Sequence, residues 1–101
     1  MFPDKFRLHV TAKDCVLGCQ TDEPSRNCAV ARPAIRKFMK IDPTALVGVG
    51  FKSISVRTKS GLVVYEATDA DRMMNFTSEN DWGEVQEPTS FTFRRVNRAS
   101  Y

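Results

Sequence analysis

Residues 25–38, Ser-Arg-Asn-Cys-Ala-Val-Ala-Arg-Pro-Ala-Ile-Arg-Lys-Phe, put two different stripes on one short segment. Ala31, Ile35, Phe38 and Met39 recur at i, i+4, i+7 and i+8, the spacing of one helix face. Arg32, Arg36 and Lys40 recur at i, i+4 and i+8 on the other side, with Lys37 beside them. A helix that is apolar on one side only must lay that side on a second layer. The pattern predicts a helix from about Asn27 to Lys40, with Asn27 as its N-cap because its side-chain oxygen can accept an unpaired backbone N–H. Pro33 conflicts with that start, since proline past the first turn removes an N–H and clashes with the carbonyl four residues back. The helix therefore either begins nearer Arg32, with Pro33 in its first turn, or is kinked.

The second layer reads as strands. Phe6, Leu8 and Val10 alternate with Arg7 and His9, the period of a half-buried strand. Thr11 or Asp14 then caps a short helical turn stopped by Gly18, and residues 19–26 read as a loop around Pro24. Asp42-Pro43 ends the main helix. Val47, Val49 and Phe51 alternate in one parity and Ile54 and Val56 in the other, which predicts a single strand with a bulge near Lys52-Ser53. Lys59-Ser60-Gly61 reads as a hairpin turn leading into a strand from Leu62 to Glu66. Thr68 to Asp71 resembles a capping box opening a short helix that buries Met73 or Met74 and Phe76. Residues 78–83 read as a loop, and Phe91 to Arg94 as a last strand. The expected order is β-α-α-β-β-α-β: an α+β fold with an antiparallel sheet of about four strands and helices on one face.

At 101 residues the chain has the size of a single domain, spanning 1–101. No apolar run reaches the ~20 residues that cross a bilayer, and Met1 to Lys5 lacks the layout of a signal peptide. A cytoplasmic protein with no membrane partner is the expectation. The net charge of +3 is a mild bias, well short of the clustering typical of dedicated nucleic-acid binders.

Several constellations could carry chemistry. His9, Cys15, Cys19 and Cys28 are zinc-ligand types, but their spacing matches no paired knuckle, and cysteines used as small buried side chains fit better. His9 is the one histidine, and no loop near the cysteines resembles that of a thiol enzyme; no catalytic residue, metal or cofactor is expected. Gly48-Val49-Gly50 precedes a strand and so is no phosphate cradle. Trp82, in a polar loop, is either a core-edge residue or an interface anchor. If helices cover one face of the sheet, Arg7, His9, Ser53, Ser55, Tyr65, Thr92 and Arg94 populate the other, a set able to hold phosphate, nucleotide or an acidic protein surface. The expected binding residues are Arg32, Arg36, Lys40, Trp82, Arg94, Arg7 and Tyr65.

Cys28-Ala29-Val30-Ala31, Gly18, Val47-Gly48-Val49-Gly50 and Phe91-Thr92-Phe93 together resemble a small-protein family met mostly in bacteriophage genomes. Its motif is Cys, two residues, then Cys-Pro-Ile/Val-Ala leading into a helix. Ser25 stands here in place of the first cysteine and Ala29 in place of the proline, so any redox or metal role of that pair is half lost. The resemblance implies a non-enzymatic binding protein acting in the host-cell cytoplasm. It would occupy a host protein or sequester a small anionic ligand, as a host-interaction or counter-defence factor. The alternative is a nucleic-acid-binding accessory protein using the basic helix stripe and the open sheet face.

Overall fold

The structure, a computed structural model, describes residues 2–19, 28–81 and 83–96. The elements run β1 (Lys5–Val10), α1 (Ala12–Gly18), α2 (Ala31–Ile41), β2 (Leu46–Val49), β3 (Ser53–Thr58), β4 (Gly61–Ala67), α3 (Ala70–Asp81) and β5 (Thr89–Val96). The strands form one antiparallel sheet in the order β1-β5-β4-β3-β2. The fold is α+β with helices on one face, but the strands number five and the order is β-α-α-β-β-β-α-β.

The extra strand comes from the parity switch. Instead of a bulge, the chain turns back at residues 50–52, with Val49 opposite Ile54 and the Gly50 N–H donating to the Ser53 carbonyl at 2.9 Å. A reversal swaps the parity of the inward residues just as one extra residue would. Val47 and Val49 on β2, and Ile54 and Val56 on β3, accordingly all face the core.

The other strands obey period two. Phe6, Leu8 and Val10 of β1, Val63, Tyr65 and Ala67 of β4, and Phe91 and Phe93 of β5 are buried on the same face. Tyr65 was expected on the open face, and that expectation is corrected. Its register partner is Ile54, so it points inward and is fully buried. Its hydroxyl donates to the Pro3 carbonyl at 2.6 Å, the partner a buried phenol needs. Burial pushes its pKa upward, with nearby Arg95 opposing. Phe6 lies within 5.3 Å of the Phe38, Tyr65 and Phe93 rings, edge-on to the first two and stacked on the third. Phe2 tilts against Phe38 from outside.

The sheet curls, and α2 lies across its mouth, touching both edge strands β1 and β2. Pro33 is the third helical residue, in the first turn, where the missing N–H costs little. Val30, in helical conformation and without a side-chain cap bond, precedes the helix. The Ala31 N–H instead reaches the Cys28 Sγ at 3.4 Å. Asn27, the expected cap, lies outside the described residues, as does the loop at 20–26.

α1 is capped as a reciprocal box: the Thr11 hydroxyl oxygen accepts the Asp14 N–H, and the Asp14 carboxylate accepts the Thr11 N–H. Gly18 is its last residue, and a Cβ there would sit 2.3 Å from the Ala29 nitrogen. The glycine permits close approach of two chain segments rather than a left-handed stop. At α3 the cap also differs from expectation. Asp69, and not Thr68, accepts the Arg72 N–H at 3.2 Å, while Thr68 bonds the Thr92 carbonyl. The helix continues through residues 78–81, where a loop was expected, and buries Met73, Phe76, Thr77 and Asn80.

Candidate anion-binding groove between strand β1 and helix α2

The basic stripe of α2 is not a uniform outward row. Asp14 is almost fully buried, and Arg36 grips it with two nitrogens, one on each carboxylate oxygen, at 2.8 Å. The Arg32 Nε approaches the same carboxylate at 3.6 Å and has no hydrogen-bond partner among the described residues. Burial alone would push the Asp14 carboxyl up, but hydrogen bonds from Arg36 and Thr11, with the Arg36 charge, overcome it and hold the pKa at about 2. Arg36 is correspondingly raised. Two of the expected binding residues, Arg32 and Arg36, thus first serve to dock α2 on the start of α1.

Lys40 does point to solvent, and it lines a feature that sequence periodicity does not reveal. An open groove of ≈ 480 Å³ runs between β1 and α2, walled by Arg7, Leu8 and His9 from the strand and Pro33, Arg36, Lys37, Lys40 and Ile41 from the helix. Positions 33, 36, 37, 40 and 41 fall one helical turn apart, so a single face of α2 makes one wall. Among the described residues, four Lys or Arg side chains and one imidazole line this groove, and no carboxylate does. The Lys37 ammonium lies 5.2 Å from the centre of the Phe6 ring, which steadies it at the rim. The His9 Nδ1 pairs with the Ser90 hydroxyl at 2.9 Å.

The face of the sheet away from the helices carries Arg7, His9, Ser53, Ser55, Thr92 and Arg94, as expected, because each alternates with a core residue. Arg94, however, sits between Lys5 and Glu66 across the sheet, apart from the groove. Leu46 and Leu62 flank Arg57 at the far corner of the same face. Of the expected residues, the groove brings together Arg7, Arg36 and Lys40. It adds Lys37 and His9, leaves Arg32 at the Asp14 pair and Arg94 elsewhere, and excludes Tyr65. Trp82 lies outside the described residues.

The cysteines are all buried. Burial, with the neighbouring Asp14 charge, raises the Cys15 thiol above its ordinary range, which works against thiolate chemistry. Among the described residues, no three His, Cys, Asp or Glu side chains group as metal ligands. No helix there is long and apolar enough to cross a membrane.

Fold and groove together define a class: a small α+β domain whose curled antiparallel sheet is crossed by one helix, with a cationic groove at one edge. Comparison with models of known protein families, with curated proteins and with solved structures finds no match.

Proposed function

We propose that this protein is a non-enzymatic binding module that seats an anionic segment of a partner protein in the groove between β1 and α2. The observation that carries the reading is one of sign: Arg7, Arg36, Lys37 and Lys40 converge on one groove to which, among the described residues, no carboxylate contributes. A concave surface lined by one sign of charge focuses its field on an incoming partner of the opposite sign. Since Asp14 draws on Arg36, the attraction rests chiefly on Arg7, Lys37 and Lys40. Following the phage-family resemblance, the partner is a host protein. Nucleic acid is the less favoured anion because, among the described residues, the groove wall holds no Phe, Tyr or Trp on which bases stack.

The test uses a fluorescent dodecamer of glutamate and fluorescence anisotropy at low salt. The double variant Lys37→Ala/Lys40→Ala is expected to weaken binding about fivefold or more, and Arg57→Ala on the far corner to leave it unchanged. Equal losses per charge removed from the two variants would place the attraction in net charge and sink the groove as the site.

A further inference from the structure

We propose that the partner segment binds as an added strand: an extended acidic peptide that pairs through its backbone with the outer edge of β1, making the sheet six-stranded. This rests on the groove reading above and specifies how the groove is used.

The groove meets β1 edge-on. Arg7, Leu8 and His9 are consecutive wall residues, yet Leu8 is buried on the core face while Arg7 and His9 are exposed on the other. A cavity lying over one face of a strand would touch every second residue; one lying along its edge touches them all. The hydrogen-bond parity agrees. The Arg95 N–H donates to the Asp4 carbonyl at 2.7 Å, in the register that pairs Phe6 with Phe93 and Leu8 with Phe91. In an antiparallel ladder, hydrogen-bonded and non-hydrogen-bonded pairs alternate. Phe6, Leu8 and Val10 therefore spend their backbone groups on β5, and the N–H and C=O of Lys5, Arg7 and His9 point outward. Among the described residues no strand pairs with that edge.

The choice of occupant follows from charge. Sheet edges are commonly guarded by charged side chains, and here the guard is Lys5, Arg7 and His9. A second copy of β1 would bring like charges opposite one another, which is unfavourable. An acidic strand meets opposite charge on both of its faces, from Arg7 and Lys5 on one side and from Lys37 and Lys40 of α2 on the other. Backbone pairing supplies the affinity and the flanking cations select for acid, the division of labour known for strand addition.

Three octapeptides of alternating Glu and Val serve as probes: one unmodified, and two N-methylated on alternate residues of opposite parity. Binding is followed by anisotropy, and the protein amides by NMR hydrogen exchange. Strand addition predicts that one methylated isomer loses about tenfold or more in affinity while the other binds like the parent. It also predicts that the Arg7 and His9 amides gain protection on binding. If both isomers bind like the parent and Lys37→Ala/Lys40→Ala still weakens all three, ionic seating in the groove stands and strand addition is overturned. If the lysine variant leaves all three unchanged, the groove reading falls with it. An oligothymidylate that binds more tightly than the peptide at equal salt and protects the same amides would overturn the peptide in favour of nucleic acid.

Discussion

Asp14 combines two tasks in one side chain: it closes the α1 capping box and receives the Arg36 fork, and it does both while almost fully buried. Removing one partner of such a pair costs more than the pair is worth, because a buried charge is left behind. Arg36→Ala is expected to lower unfolding stability by about 2–3 kcal/mol in urea titrations, and Lys40→Ala to change it by less than about 0.5 kcal/mol. Since the folded pKa of Asp14, about 2, lies below its ordinary 3.8, the folded state holds its proton less tightly than the unfolded chain. The resulting stabilisation is complete above about pH 4 and is lost as pH falls through 2. It amounts to about 2 kcal/mol. Asp14→Asn should flatten that part of the pH–stability curve as followed by circular dichroism. The capping half of this arrangement is legible in the sequence as a choice between Thr11 and Asp14, which the structure shows acting together. The ionic half is not, since Arg36 is 22 residues further on and periodicity assigns it to the solvent face of its own helix.

Among the elements, the amphipathic face of α2, the alternation of β1 and the turn at Lys59-Ser60 can all be read directly, because each rests on local spacing. The β2–β3 hairpin resists such reading: an apolar run that changes parity fits a bulge and a tight reversal equally well, and only pairing across the sheet separates them. Tyr65 fails for a related reason. Leu62 to Tyr65 is an unbroken apolar run with no parity of its own, and register against Ile54 decides which residues turn inward. Gly18 shows the same limit at a helix end, where the residue that looks like a stop is a contact point with Ala29. Gly18→Ala must push the 28–29 segment away from α1, and a cost of about 2 kcal/mol or more is expected, read as a lowered Tm. Gly48→Ala is the control: it has the same chemistry with nothing near the added methyl, and is expected to change stability by less than about 1 kcal/mol.

At the level of the whole molecule, the helix that crosses the mouth of the curled sheet makes both the core and the groove. Phe38 contributes to the first through Phe2, Phe6 and Tyr65, while Lys37 and Lys40 line the second. Phe38→Ala should therefore cost about 3–5 kcal/mol in a denaturant titration and loosen the groove wall with the core. The groove itself was illegible in the sequence because its walls lie more than twenty residues apart and meet only through the sheet's curl. One further consequence follows from where β5 sits. The last strand of the fold occupies a slot between the first strand and β4, so residues 5–10 have no neighbour in the sheet until residues 89–96 arrive. On the ribosome, the β2–β3–β4 meander can assemble as it emerges, whereas the groove-bearing edge must wait for residues 89–96. The groove is thus completed only once β5 has joined the sheet, and a chain cut short before β5 would carry the same cations without the ordered edge that aligns them.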